Sequence, residues 1–295
     1  ANAYQRSGGS YYPKIQISIP FTPVTGKRFL IRDKIDNEEI ISNLSQQLSK
    51  LTVETGSSSA HITFLTAEEA KVLKDLGWLI RKDQQFHWKN NNYKCFDDFL
   101  INLTSRKRKN IKKERAILKD SSIEIEHING EDICDFHWDH FYNFYLDTTI
   151  RKWGTAYLNK DFFKIIGDTM KKNILLIMAK KNNKYIAGAL NFIGGDTIYG
   201  RNWGCVEDHK FLHFELCYYQ AIDFAINNNY KSVEAGAQGT HKISRGYSPE
   251  ITYSAHWMKE KNFSDAIQEY LKYEVLEVEK SKKILENYLP FKKEG

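Results

Sequence analysis

Cysteine is scarce in this chain, and Cys95, Cys134, Cys205 and Cys217 are spaced neither as CxxC pairs nor as a secreted disulfide scaffold. That spacing predicts no disulfide and a reducing, cytoplasmic setting. Long apolar runs are missing too, since the most hydrophobic stretch, residues 173–179, is far too short to cross a bilayer. The first ten residues are polar and lack the apolar centre of a signal peptide. Any membrane contact is therefore expected to be peripheral.

Several catalytic signatures are also missing. There is no G-x-S-x-G and no cysteine beside a glycine-rich turn, which argues against covalent catalysis. With no Walker loop and no G-x-G-x-x-G, nucleotide hydrolysis and dinucleotide redox chemistry lose their usual handles. His209 and His213 stand one helical turn apart without the glutamate of a zinc-protease helix, and His137 and His140 share a face, so no metal is expected.

What is present describes a globular protein with 41% hydrophobic and 14% aromatic residues, and a net charge of +6 that favours an anionic partner. A length of 295 residues suggests two domains. Residues 14–24 alternate as a strand until Pro20, a helix follows over 36–51, then a strand over 61–65. Thr66 and Glu69 form a capping-box signature for a helix that Gly77 stops, and 78–88 reads as strand. The polar Asn90-Asn-Asn92 marks a boundary, dividing the chain into 1–92 and 93–295.

Beyond a short helix at 97–103 lies a helix over 105–119 with eight basic residues and one acid. Arg106, Lys107, Arg108, Lys109, Lys112 and Lys113 are read as a docking face for phosphates of nucleic acid or lipid, while Ile111 and Leu118 pin the helix inward. An aromatic helix over 131–148, a turn at 151–154, a helix over 160–170 and a hairpin of strands 174–179 and 185–193 follow. A long amphipathic helix runs from 264 to about 288.

The stretch 197–258 carries the chemistry. It reads as strand 197–205, helix 208–227, strand 231–235, glycine-rich loop 236–247 and strand 251–258. Gly200 and Gly204 alternate with Tyr199, Arg201, Trp203 and Cys205, leaving one strand face bare for a ligand, or else marking a bulge or bend. The loop gathers Gln238, His241, Lys242, Arg245 and Tyr247 among three glycines, as active-site loops do. Acids, a histidine, bared strand edges and cations suit direct transfer of an activated acyl group to an amine. A base or relay would come from Glu215, Glu234, Gln238 or His241, with Glu234 positioning the amine and Glu215 or His241 taking its proton. Backbone N–H groups from Gly200 to Gly204 would face the oxyanion, and Lys242, Arg245 and the basic helix would face the donor's phosphates.

Tyr199-Gly-Arg-Asn-Trp-Gly-Cys205, Phe211-Leu-His-Phe-Glu-Leu-Cys-Tyr-Tyr-Gln-Ala-Ile-Asp223, Val233-Glu-Ala-Gly-Ala-Gln-Gly-Thr-His-Lys242 and Arg245-Gly-Tyr247 resemble the FemAB-like peptidoglycan biosynthesis/recognition family. So do Pro20-Phe-Thr-Pro-Val-Thr-Gly26 and Arg151-Lys-Trp-Gly154. The resemblance implies the GNAT (acyl-CoA N-acyltransferase) superfamily and an α/β (α+β) fold of two tandem GNAT-like modules with mixed, mostly antiparallel sheets. The opening of the first module is expected to be incomplete. It implies a donor that is aminoacyl-tRNA or acyl-CoA, with no resident cofactor, and an amine acceptor such as a peptidoglycan precursor, with peripheral contact to a lipid-linked form. Substrate contacts are expected from Gly200, Arg201, Asn202, Trp203, Gly204, His213, Gly236, Gly239, Lys242, Arg245, Tyr247, Arg151 and Trp153. Acyl-CoA enzymes of this fold place glycines at the start of the helix after this strand. Val206-Glu-Asp-His-Lys-Phe211 has none and carries two acids, which favours aminoacyl-tRNA. The alternatives are an acyl-CoA N-acetyltransferase and a non-catalytic recognition protein.

Overall fold

The computed structural model describes residues 10–32, 37–237 and 239–292, with the side chains of Lys152 and Trp153 excepted. In chain order the elements are β1 (Ile15–Ile17), α1 (Asn37–Glu54), β2 (Ser59–Leu65), α2 (Ala67–Asp75), β3 (Leu79–Lys89), α3 (Phe96–Asn102), α4 (Ser105–Lys119), β4 (Ile123–Asn129), α5 (Asp135–Trp153) and α6 (Lys160–Thr169). There follow β5 (Ile174–Lys181), β6 (Lys184–Gly194), β7 (Thr197–Cys205), α7 (Gln220–Asn227), β8 (Ser232–Glu234), β9 (Ser248–Met258) and α8 (Lys261–Glu286). No helix among the described residues is long and apolar enough to cross a membrane.

The chain forms two compact units, 1–85 with 249–287 and 86–248 with 288–295. The division read from the sequence kept everything after residue 92 together. Compactness instead groups most of β9 and all of α8 with the N-terminal unit.

In the first unit β1 is parallel to β2, and β9 is antiparallel to β2 with Ala60 opposite Trp257. Alternation sends Ala60 and Ile62 into a core with Ile41, Leu73, Trp78 and Ala255. Thr66 caps α2 through the Glu69 N–H, and the Glu69 side chain answers at the Thr66 N–H, so the capping box forms. Beyond α2, Gly77 adopts φ +85°, a conformation glycine takes without strain. Arg81 and Lys82 of β3 pair with Glu274 and Glu279 of α8 at 2.8 and 2.5 Å.

In the second unit β4, β5, β6 and β7 form an antiparallel ladder, β8 joins β7 in parallel, and the end of β3 joins β8 antiparallel. The β5–β6 turn has φ of 49° at Asn182 and 60° at Asn183, the left-handed pair that a two-residue hairpin needs. On one sheet face α5 and α6 bury Trp138, Phe141, Phe144 and Phe163 against Leu176, Met178 and Leu190. Its dense aromatics are thus packed on two sides, against the sheet and against α6.

Three elements differ from the sequence reading. The strand β4 was not expected, although Ile123 and Ile125 alternate with Glu124 and Glu126. The aromatic helix begins later and runs through the expected turn at 151–154, ending at Gly154 with φ +80°. Most important, residues 208–227 are not one helix. A turn at Leu212–Phe214 opens with Phe211 in the left-handed region at φ 71°, a π-helical turn covers Glu215–Tyr219, and only then does α7 begin.

Candidate active site

The strands β7 and β8 pair over three positions, Thr197 with Ser232, Ile198 with Val233 and Tyr199 with Glu234. Past them β7 continues along β6, whereas the chain leaving β8 turns away at Gly236, where φ is +73°. A wedge opens between the parted strands. A register shift in the β6–β7 ladder, with Asn191 opposite Gly200 but Leu190 opposite Asn202, makes Arg201 the extra residue of a bulge. Bulges re-aim side chains beside sites.

The wedge holds a cavity of about 130 Å3 lined by Gly200, Arg201, Asn202 and Trp203 of β7, Ala235, His213, and Cys217 and Tyr218 of the π-turn. Trp203 and His213 also line a second chamber of about 420 Å3 that includes Arg151, Cys205, Glu207, His209, Lys210 and Phe211. The π-turn is what brings Cys217 and Tyr218 to the first chamber. Such single-turn expansions of a helix are frequent at functional sites.

Tyr218 is buried, and its hydroxyl lies 3.0 Å from Nε2 of the exposed His241. Burial raises the Tyr218 pKa well above its ordinary value, so the phenol keeps its proton. The pKa of His241 moves the other way, lowered by burial and then by the Arg245 and Lys242 charges. A protonated phenol thus faces a neutral imidazole and donates to it in the tautomer that leaves Nε2 without hydrogen. His213 packs edge-on against both Trp203 and Tyr218, at 5.2 and 5.4 Å between ring centroids.

The loop cations do not reach into the cleft for phosphates as expected. Lys242 is buried and donates from Nζ to the Ala235 and Gly236 carbonyls at 2.5 and 3.3 Å, its pKa lowered to about 8 by burial. Arg245 is buried with its guanidinium 3.6 Å from the Phe214 ring centre, and it donates to Glu114 at 2.9 Å and to the His241 carbonyl at 2.9 Å. Both hold the loop Thr240–Arg245 that presents His241. Tyr247 is fully buried, outside the lining of either chamber, and Gly239 supports the loop with φ +99°.

Gly204 is a second correction. A Cβ there would stand 2.1 Å from the Phe144 carbonyl oxygen of α5, so the bare face is filled by a helix backbone. Gly200 does line the cavity, its hypothetical Cβ 3.3 Å from the Glu234 carbonyl oxygen. Glu215 is a third. It points away from the cleft and pairs with Arg115 of α4 at 3.0 Å, while Gln220 donates to it at 2.7 Å. Burial raises its pKa, against the lowering effect of Arg115. Glu234 lies on β8 with its carboxylate 3.7 Å from His87. Arg151 contacts Asp147 and the Cys205 carbonyl, and Arg201 donates to the Tyr157 hydroxyl at 2.9 Å. Gln238 and the side chain of Trp153 lie outside the described residues.

Charge in the larger chamber also differs from expectation. Glu207 is 2.9 Å from His209 and 3.6 Å from Lys181, so one of the two acids that were to repel anions is neutralised locally. On α4, Arg106, Lys109 and Lys113 are exposed, Lys107 and Arg108 half-buried, and Lys112 pairs with Asp97 at 2.9 Å.

A family model described as FemAB-like, peptidoglycan biosynthesis/recognition, matches residues 1–293. The chain belongs to this FemAB-like family. Among solved structures it is similar to the C-terminal DUF2156 domain of a protein assigned as a lysylphosphatidylglycerol synthetase from Agrobacterium fabrum, at 11% identity and a TM-score of 0.58 over 80% of this chain and 78% of that one. L-PGS from Bacillus licheniformis aligns at 9% identity and TM-score 0.56 over 78% of each chain. FemX aligns at 14% identity and TM-score 0.54 over 85% of each chain. No curated protein matches. At these identities the structures establish a shared fold, the mixed and mostly antiparallel GNAT-like α/β fold, in which this FemAB-like chain places its cleft between β7 and β8.

Proposed function

We propose that this FemAB-like protein is an N-acyltransferase that moves an aminoacyl group from an aminoacyl-tRNA to an amine, with a peptidoglycan precursor as acceptor. The observation that carries the reading is the Tyr218–His241 pair set where β7 and β8 part. An acceptor ammonium must lose a proton before its nitrogen can attack. A proton leaving an amine in the cavity passes to the Tyr218 oxygen as the phenol hands its own to His241, which is exposed and returns it to water. The C–N bond forms, the ester C–O bond breaks, and the leaving hydroxyl takes the amine's second proton. Past Tyr199 the β7 edge is released from β8, and its backbone N–H groups are suitably placed to stabilise the oxyanion. The buried Oδ1 of Asn202, without a hydrogen-bond partner among the described residues, is an acceptor for the incoming amine.

Family membership supports the peptidoglycan assignment, and the lysylphosphatidylglycerol synthetase name of one structural neighbour supports an aminoacyl donor. The test presents aminoacyl-tRNA and acetyl-CoA side by side with a lysine-containing peptidoglycan precursor, and detects the product by mass spectrometry. Aminoacyl product that Tyr218→Phe reduces at least tenfold is expected. Acetyl product alone would make the protein an acyl-CoA enzyme. Precursor binding without turnover by either donor would make it a recognition protein.

A further inference from the structure

On the other face of the second unit's sheet, a cavity of about 700 Å3 opens between α3, α4, β4 and the π-turn, and it shares no lining residue with the two chambers of the cleft. Alternation along β4 builds it: Ile123 and Ile125 point to this side, whereas Ile128 joins the core beneath α5. Phe96, Leu100 and Leu118, each at least nine-tenths buried, complete the apolar walls, in which Ile125 is half-buried.

Polar groups are sorted by depth. At the floor Oε1 of Glu215 accepts from both Arg115 and Gln220, whereas Oε2 is buried without a hydrogen-bond partner among the described residues, so a hydrocarbon chain would meet an ion-paired carboxylate with one open oxygen. At the rim Lys112, Arg115, Ala116 and Lys119 stand at i, i+3, i+4 and i+7 on α4, forming one stripe over the opening. The Lys112 and Lys119 ammonium stems arise about 10 Å apart along the helix axis. Lys112 is tied to Asp97, and Lys119 is exposed with no ion-pair partner among the described residues.

The geometry points to a binding site for a single-chain amphiphile with an anionic head group, its chain between the α4 and β4 walls and its head at Lys119 and Lys112. A cavity of this size suits one such molecule. A cationic head would stand beside Lys119 and Arg115, and a neutral one would leave Lys119 without a counter-ion. The inference does not depend on the acyl-transfer reading, because the cleft and this cavity have separate linings.

Isothermal titration of the full chain with octyl and decyl phosphate, decanol and decylamine tests it. Decyl phosphate is expected to saturate at one per chain and to bind about fifteenfold tighter than octyl phosphate, since each of its two further buried methylenes contributes about fourfold. Lys112→Glu/Lys119→Glu, at exposed positions that leave the fold intact by circular dichroism, should weaken it at least tenfold. Filling the cavity by Ile125→Trp should abolish binding of every ligand. Phosphatidylcholine vesicles containing lysophosphatidylglycerol, a single-chain anionic lipid, add a second arm: co-sedimentation lost in Ile125→Trp assigns the chain to a membrane lipid, and binding of monomeric decyl phosphate alone assigns it to a free amphiphile. Absence of saturable binding, equal binding of decylamine, or binding that survives both variants would overturn the proposal.

Discussion

His61 and His256 face each other across β2 and β9 with their Nδ1 atoms 2.7 Å apart, and each outer nitrogen lies 2.9 Å from a serine hydroxyl, Ser59 for one and Ser254 for the other. One hydrogen must sit between the rings, so the arrangement suits two neutral imidazoles. Burial holds His61 down to about 4, with Lys14 adding to it. His256 is held down to about 3 by burial, by His61 and by the Arg81 and Lys14 charges. In the unfolded chain each ring takes a proton near 6.5. The pair's contribution is therefore complete above about pH 6.5 and is lost as pH falls from there towards 3, by several kcal/mol in total. Urea midpoints at pH 7 and pH 4.5 should drop far less for His61→Gln/His256→Gln than for the wild type. An equal drop would assign the acid sensitivity to other groups.

The Tyr218–His241 relay has a pH signature. The imidazole accepts a proton only when neutral, and its pKa is lowered, so kcat/KM should rise with pH through an apparent pKa below 6.5 and then level off. Removing the exposed imidazole by His241→Ala should cut turnover about tenfold to a hundredfold and erase that limb, with Tm almost unchanged. A limb that persists in the variant would place the base elsewhere.

Glu215 answers differently. Its ion pair with Arg115 is a structural contact, so Glu215→Gln is expected to lower stability by about 1–3 kcal/mol in urea titration. Asp223, 3.4 Å from Arg115, limits the loss by keeping one carboxylate on the guanidinium. Activity per folded molecule should stay within about twofold, because a base contributes far more than that. A tenfold fall would return Glu215 to the chemistry.

The two glycines of β7 separate stability from binding. A methyl at Gly204 would collide with backbone that cannot move away, so Gly204→Ala should cost about 3 kcal/mol or more. At Gly200 the neighbour is 3.3 Å away and has only to yield slightly. There the substitution narrows the cavity, and a raised KM with little change in Tm is the expected result. The reverse pattern would mean that the bare face of β7 was assigned to the wrong glycine.

Where local signals agree with tertiary demand, the fold could be read directly. The Thr66 capping box, the Asn182-Asn183 hairpin and the basic helix with Ile111 and Leu118 inward all occur where the residues pointed. The cleft between β7 and β8 was legible in outline, since a strand, a helix, a strand and a glycine-rich loop bring their ends together. Misreadings arose where long-range packing decides. Nothing adjacent in sequence tells that Phe144 backbone will press on Gly204, or that Arg115, a hundred positions away, will take Glu215 from the cleft. Tyr218 was missed because a continuous helix over 208–227 gave no reason to separate it from its aromatic neighbours. Phe211 could have warned of the break only through its left-handed backbone, which aromatic residues seldom advertise.

The π-turn has a consequence for how this site could arise or be lost. An α-helix turns through about 100° per residue, and a π-turn holds one residue more than an α-turn. Deleting a single residue within Glu215–Tyr219 would restore regular winding with the flanking turns facing as before, because the wider i→i+5 turn is what absorbs the extra residue. Only the side chains inside the turn would be re-aimed, and these include Glu215, which meets Arg115, and Tyr218, which lines the parted strands. Chemistry in the cleft and closure of the cavity beneath α4 thus share one widened turn, so the loss of one codon there would disturb both together.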